Sequence, residues 1–345
     1  MYKRNVTIQL IASNLGISVT TVSRVLNGLG LQYRISKETI ELVTTTAKKL
    51  NYRPNNIAKG LRLNRSSSIG LIIPDITNSW FAQLALGIEN EARKHHYNVF
   101  LCNSNDDIEI EKKIVSLLQN WMVDGIIIAP IGLESEHLLK VSNRGIPVVL
   151  IDRFFEDINL PYISSNDYKG ALEANQFLID NGHKKIACIQ GLIGTSCNNQ
   201  RLEGYKNALK KNNITFDPAL VMGSDFGYNN GYAFGKKLIK NLPKSKITAI
   251  FSMGNQITLG LLKAFKEEGL TIPGDISVIS FDEQIYSDLL TTPMTTVSHM
   301  NENSGGITFK MLYDQIDKTN SALPKNIILR SKLIIRDSVK NLNTR

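Results

Sequence analysis

From Ile69 onward, the chain alternates between short apolar runs and longer stretches whose apolar residues recur with helical spacing. The apolar runs are of strand length and lie at 69–74, 98–102, 125–130, 148–152, 162–164, 185–190, 247–252 and 276–281. The stretches with helical spacing lie at 81–94, 110–122, 171–181, 202–211 and 258–268. This alternation is typical of parallel β-sheets joined by crossover helices. About eight strands with an interruption near the middle predict two α/β lobes rather than one sheet.

The first 54 residues show a helical pattern without strands. A first helix, capped by Thr7, places four apolar residues on one face: Ile8, Ile11, Ala12 and Leu15. Gly16 breaks the chain, and Ser18 is placed to cap a second helix. A third helix begins at Ser36 and ends before Pro54. Two short helices separated by a glycine-containing turn and followed by a third predict an all-α helix-turn-helix headpiece.

The positive charge of the chain is concentrated in this headpiece and the segment after it. The 345 residues contain 40 Lys and Arg and 31 Asp and Glu, a net charge of +9. Residues 1–65 hold eleven of the basic residues and only two acidic ones, so the remaining 280 residues hold 29 of each sign. This asymmetry predicts a head that binds a polyanion, attached to a body of balanced charge.

Short polar side chains lie outside the apolar stripe of the second helix. Hydroxyl and amide groups suit phosphate contacts, and the exposed Arg24 can reach a guanine edge or a phosphate. The candidate DNA-binding residues of the head are Thr7, Ser18, Val19, Thr20, Thr21, Ser23, Arg24 and Asn27. The alternative is that these side chains only solvate a small bundle. The concentrated charge favours DNA.

Several functional classes lack their sequence signals. No apolar run is long enough for a membrane span, and the N-terminus has no signal-peptide core. The three cysteines form no C-x-x-C pair, and no metal-ligand spacing, nucleophile motif or phosphate loop occurs. We therefore expect a cytoplasmic protein that is not an enzyme, has no metal or cofactor, and does not bind a membrane.

Carboxylate, arginine and aromatic side chains follow the ends of several predicted strands, where open α/β sheets bind ligands. The candidate effector-binding residues are Trp80, Phe81, Asp152, Arg153, Arg201, Phe226, Asn255 and Asp282. Carboxylates and arginine pair with vicinal hydroxyls and aromatic rings cover a sugar face, so the set favours a sugar or sugar phosphate. Several of these residues, and Asp75 after the first predicted strand, also have a structural alternative. Asp75 and Asp152 can cap turns, Phe226 can be core, and Trp80 can pack between lobes.

Seven ordered blocks resemble the LacI-type (lactose-repressor) family of bacterial transcriptional regulators. They are TTVSRVLNG at 20–28, LNYRPN at 50–55, IGLIIPDITN at 69–78, VDGII at 123–127, GHKKIA at 182–187, RLEGY at 201–205 and ISFD at 279–282. The blocks cover nearly the whole chain in the order found in the family. The resemblance implies a homodimeric regulator, most often a repressor, that binds a near-palindromic operator and a small-molecule effector.

The resemblance also implies an architecture. A headpiece at 1–54 and a hinge helix with linker at 55–66 precede a periplasmic-binding-protein-like body at 67–345. The body has two lobes, one at 67–163 and 294–325 and the other at 164–293 and 326–341, so the chain crosses between them three times. In the hinge, Leu61 is the expected wedge in the minor groove, with Asn55 and Ala58 close to the groove. Arg201 and Asp282 match effector positions of the family.

Three positions depart from the family pattern. Leu31–Arg34 lengthens the turn between the second and third helices. Gly254-Asn255 stands where Asn-Asp is common, which weakens the usual sugar assignment. Thr195 stands where purine-binding members have a second arginine, which disfavours a purine. Two alternatives stay open here: control by a protein partner, and a sugar-binding protein without a regulatory role.

Overall fold

The computed structural model describes residues 6–52, 65–299, 303–318 and 326–343, with the side chains of 243 and 244 excepted. The chain divides into two compact units, Met1–Ser66 and Ser67–Arg345. The predicted hinge residues Asn55, Ala58 and Leu61 lie outside the described residues, and the expected border between head and linker stays a prediction.

The head consists of α1 (Ile8–Leu15), α2 (Val19–Leu26) and α3 (Lys37–Lys49). The Thr7, Ser18 and Ser36 side chains cap the three helices by accepting hydrogen bonds from backbone N–H groups in the first turns. Gly16, with φ +62°, ends α1 in the left-handed conformation. The helices pack around a small core made by Ile11, Ala12, Val22, Val25, Val43 and Ala47. The predicted helix-turn-helix order is therefore present.

The first half of the body alternates strands and helices. In chain order it contains β1 (Ser68–Ile73), α4 (Ser79–Lys94), β2 (Asn98–Asn103), α5 (Ile108–Asn120), β3 (Gly125–Ile128), α6 (Glu136–Asn143), β4 (Val148–Ile151) and β5 (Tyr162–Ser165). All six residues of β1 are buried, as expected of a central strand covered on both faces.

The second half continues the alternation. It contains α7 (Asp167–Asp180), β6 (Ile186–Ile189), α8 (Ser196–Lys211), a 3₁₀ turn at Pro218–Leu220, β7 (Val221–Met222), α9 (Tyr228–Ser245), β8 (Ala249–Ser252), α10 (Asn255–Glu268), β9 (Ser277–Phe281), β10 (Thr295–Ser298), α11 (Ser304–Ile316), β11 (Asn326–Leu329) and β12 (Lys332–Ile334).

The strands form two six-stranded sheets, one in each lobe. The first has the order β11-β5-β4-β3-β1-β2 and the second the order β12-β10-β9-β8-β6-β7. Every pairing is parallel except that between β10 and β12. Successive strand residues enter different cores: Leu71 packs with α4 and α11, whereas Ile72 packs with α5 and α6. Two helix-covered sheets confirm the predicted two-lobed α/β class.

The expected lobe segments need one correction. Thr295–Ser298 was assigned to the first lobe, but it pairs with β9 in the second sheet. Asn326–Leu329 was assigned to the second lobe, but it pairs with β5 in the first sheet. Strand β10 was not predicted because three of its four residues are Thr or Ser, so no apolar run marks the strand. The chain still crosses three times, after β5, after β10 and between β11 and β12.

Among the described helices, none combines the length and apolar composition that a membrane crossing requires.

Candidate DNA-reading helix and effector-binding cleft

Helix α2 presents the predicted reading residues on its outer face. Val22 and Val25 are buried in the head, whereas Val19 is 42% exposed and Thr20 is also exposed. The Ser18 hydroxyl oxygen accepts from the backbone N–H of Thr21 at 3.0 Å and lies 2.8 Å from the Thr21 hydroxyl. The first turn of α2 is therefore fixed by its cap, and the side chains of Val19 and Thr20 point outward.

Three other candidates in the head already contact neighbouring groups of the head. Thr7 Oγ1 accepts from the backbone N–H of Leu10 at 3.3 Å, and Asn27 Nδ2 donates to the backbone oxygen of Ser23 at 2.7 Å. Arg24 lies against an aromatic ring, with Cζ 3.8 Å from the centroid of Tyr33. The DNA-binding roles of all these residues stay predictions.

All eight predicted effector residues line one cleft between the lobes of the body. Its empty space, including the solvent-open mouth, is about 560 Å³. Asp152 follows β4, Asp282 follows β9, and both adopt left-handed backbone conformations, with φ +67° and +71°. Trp80 and Phe81 come from the first turn of α4, and Arg201 comes from α8. The carboxyl ends of both sheets thus meet at the same space.

Both arginines of the cleft are buried and already paired with carboxylates. Arg153 donates from Nη1 to Asp106 Oδ1 at 2.7 Å. Arg201 donates from Nη1 to the backbone oxygen of Met253 at 2.6 Å, and its Nε lies 3.3 Å from Asp167 Oδ2. The guanidinium groups are therefore held rigidly, and their charges are balanced before any ligand enters.

Burial dominates the electrostatics of the cleft. It raises the pKa of Asp152 to about 7, and it also raises the pKa of Asp282 above its ordinary value. Burial, with a further contribution from the charge of Arg201, lowers the pKa of His299 to about 3, so this imidazole is neutral near pH 7. The cleft therefore contains a neutral histidine and a carboxyl group that titrates near neutral pH.

Four buried polar atoms at the cleft have no hydrogen-bond partner of good geometry among the described residues. They are Arg153 Nε, Arg201 Nε, Asp282 Oδ1 and His299 Nδ1. Buried polar groups are normally satisfied, so a set of donors and acceptors concentrated at one cavity indicates where a polar ligand binds.

The sequence reasoning missed His299, Asn78 and Asp106, which also line the cleft. His299 stacks on Trp80, with ring centroids 5.0 Å apart and an interplanar angle of 17°. It follows β10, which no apolar run marks, so the sequence did not indicate a strand end at this position. Asn78 caps α4 two residues before Trp80, and its capping pattern could have identified it.

The departure at Gly254 has a physical explanation. A Cβ atom placed there would lie 3.3 Å from Cδ1 of Phe226. Any side chain at this position would therefore require the Phe226 ring to shift by a few tenths of an ångström. Asp75, for which the sequence offered a capping role, does accept from the backbone N–H and the hydroxyl of Thr77, at 2.8 and 2.7 Å, while also lining the cleft.

Among the described residues, no group of three or more His, Cys, Asp and Glu side chains is arranged to hold a metal ion.

Two family profiles match the chain. The one described as "Bacterial regulatory proteins, lacI family" matches residues 7–55. The one described as "Periplasmic binding proteins and sugar binding domain of LacI family" matches residues 66–337. Together they span the head and the two-lobed body.

Full-length relatives agree with the profiles. The catabolite control protein A of Priestia megaterium is 31% identical over 315 residues, which cover 91% of this chain and 93% of that protein. The ribose operon repressor of Halalkalibacterium halodurans is 32% identical over 334 residues, which cover 97% of each chain. The structure of a lac repressor dimer bound to operator and an anti-inducer is 24% identical, with a TM-score of 0.83 over 98% of this chain and 100% of that one, and shows the shared fold.

These relatives are regulators and not enzymes, and the matches give no support to a protein-controlled regulator or to a sugar-binding protein without a regulatory role. The chain is a transcription regulator that belongs to the LacI family of bacterial regulatory proteins.

Proposed function

We propose that this protein is a homodimeric repressor in the cytoplasm, whose affinity for a near-palindromic operator is set by an uncharged sugar bound between its lobes. The observation that carries this proposal is the cleft. Eight residues predicted from strand ends converge there, and four buried polar atoms around it make no hydrogen bond of good geometry. Two of these atoms, His299 Nδ1 and Asp282 Oδ1, lie 3.2 Å apart. Hydroxyl groups of a sugar can both donate and accept, so they match this mixture of guanidinium, carboxylate and imidazole atoms.

The charges of the cleft favour an uncharged sugar over a sugar phosphate. Asp75, Asp106, Asp152 and Asp282 line the space together with only two arginines. Both guanidinium groups are engaged by carboxylates of the protein, at 2.7 Å for Arg153 and 3.3 Å for Arg201. A phosphate would add negative charge to a space that is already lined by four carboxyl groups. Trp80, stacked on His299, offers an aromatic face for the apolar side of a sugar ring.

Contacts between the lobes supply a route from the effector to the DNA. The backbone N–H of Phe154 in the first lobe donates to Ser196 Oγ in the second at 3.0 Å, and Trp80 stacks on His299 across the cleft. A sugar that bonds groups of both lobes changes the relative stability of their arrangements. Only such differential binding shifts the population that binds operator.

Calorimetric titration with matched pairs tests the effector class: ribose with ribose 5-phosphate, and glucose with glucose 6-phosphate. We expect an uncharged sugar to bind at least about ten-fold more tightly than its phosphate. Binding should be lost in Asp282→Asn, a substitution that keeps the left-handed conformation accessible. Tighter binding of the phosphate would refute the uncharged class. If no sugar changed operator binding, the proposed effector control would fail.

A further inference from the structure

The turn between α2 and α3 carries an aromatic side chain that contacts the predicted reading helix. Tyr33 lies in the segment Leu31–Arg34 that lengthens this turn, and its ring centroid is 3.8 Å from Cζ of Arg24. At this distance a guanidinium group is in cation–π contact with the ring. The contact joins a residue of the extra segment to the one arginine of α2.

The backbone fixes the position of Tyr33. Its N–H donates to the backbone oxygen of Leu29 at 3.1 Å, and Ile35 closes the turn by donating to Gly30 at 3.0 Å. Gly30 is buried, and a Cβ atom there would lie 2.7 Å from Cδ1 of Ile40, so the turn packs closely against α3. The ring therefore projects from an anchored turn.

The contact leaves Arg24 available to a ligand. Cζ of Arg24 lies over the Tyr33 ring, and a contact with a ring face does not require the guanidinium N–H donors to pair with an acceptor atom. No carboxylate among the described residues of the head forms an ion pair with Arg24; the two acidic residues there, Glu38 and Glu41, belong to α3. An arginine held against a ring loses less conformational freedom when it binds a guanine edge or a phosphate.

We propose that Tyr33 is a specificity-determining positioning residue, which holds the Arg24 guanidinium in its DNA-reading orientation. This inference rests on the proposed contact of Arg24 with DNA. Tyr33 acts through Arg24 and not through its own hydroxyl group, because the ring face alone makes the observed contact.

The test uses the full-length protein, a duplex that the wild type selects from a random library, and a scrambled duplex of equal length. Tyr33→Ala should weaken binding to the selected duplex about three- to ten-fold while changing binding to the scrambled duplex by less than about two-fold. Tyr33→Phe, which keeps the ring, should bind like the wild type. Leu31→Ala is the matched control, because Leu31 lies in the same turn and is 71% exposed.

A double-mutant cycle separates the positioning role from direct contact. In an Arg24→Ala background, Tyr33→Ala should have no further effect on the selected duplex. An undiminished loss in that background, or a loss in Tyr33→Phe as large as in Tyr33→Ala, would overturn the proposal, as would wild-type binding by Tyr33→Ala. If Arg24→Ala itself bound the selected duplex like the wild type, the proposed contact of Arg24 with DNA would be refuted instead. Thermal melting of each variant confirms that the head is folded.

Discussion

The side-chain amides of Asn78 and Asn255 bond each other reciprocally across the cleft. Asn255 Nδ2 donates to Asn78 Oδ1 at 2.9 Å, and Asn78 Nδ2 lies 3.3 Å from Asn255 Oδ1. Asn78 caps α4 in the first lobe, and Asn255 opens α10 in the second. Residue 255 is one of the two positions at which the chain departs from the common Asn-Asp pair. The departure therefore supplies an amide that links the lobes.

Removing this amide pair should loosen the lobes in the absence of effector. Asn78→Ala and Asn255→Ala are each expected to increase the radius of gyration of the effector-free body in small-angle X-ray scattering. The double variant should add little to either single variant, because both remove the same interaction. Asn207→Ala is the control, since the Asn207 side chain donates to Glu203 one turn earlier on the same helix. Equal scattering curves for all variants would show that the pair does not hold the lobes together.

Asp152 should make the protein less stable as the pH rises towards neutral. Its pKa is about 7 in the folded protein, against an ordinary value of 3.8, because burial disfavours the charged form. The folded state therefore holds an extra proton between these values, and stability falls through that window. Asp152→Asn should remove this penalty and raise the free energy of unfolding at pH 8 by at most about 4 kcal/mol relative to wild type, an upper bound from the shift.

Urea unfolding at pH 5 and pH 8 measures this difference. The advantage of Asp152→Asn should be larger at pH 8 than at pH 5. Asp275→Asn is a control of opposite sign, because hydrogen bonds from Thr271 lower the pKa of Asp275. That variant should be less stable than wild type at pH 8. A gain from Asp152→Asn that does not change with pH would contradict the assigned cause.

Arg201 should matter for both stability and effector response. Its side chain is 4% exposed, and it lies between Asp167 at 3.3 Å and Asp282 at 3.7 Å. Arg201→Ala leaves two buried carboxylates without their cation, so we expect a loss of about 3–5 kcal/mol in stability. At a temperature where the variant is still folded, effector response should be absent and operator affinity retained. A normal dose response of the folded variant to effector would show that Arg201 does not contribute to the effector site.

The outward residues of α2 should set the base preference of the head. Val19 and Thr20 are exposed while Val22 is buried, so their substitution need not disturb the core. Thr20→Asn should change which bases are enriched when DNA is selected from a random library, at a cost of about 1–3 kcal/mol for the original site. Gln9→Ala, on the surface of α1, is the control. An unchanged preference would show that α2 does not read the sequence.

The strands that could be predicted from the sequence are those formed by short runs of mainly apolar residues. Buried parallel strands such as Ser68–Ile73 have apolar residues on both faces, and the strand-end rule then located Asp152 and Asp282. Strand Thr295–Ser298 was missed because its polar residues bond groups inside the protein: Thr295 Oγ1 donates to the backbone oxygen of Arg336 and accepts from the Arg336 backbone N–H. His299 was missed with it. A contact such as that between Asn78 and Asn255 depends on how two lobes meet, which no local pattern encodes.

The coupling between effector and operator is the central claim, and fluorescence anisotropy of a labelled operator tests it most directly. The operator is the duplex selected by the wild type, and the effector is the uncharged sugar that binds most tightly in the calorimetric series. Saturating sugar should change operator affinity at least about ten-fold in the wild type and leave Asp282→Asn unaffected. An operator affinity that stays the same while the sugar is bound would contradict the account.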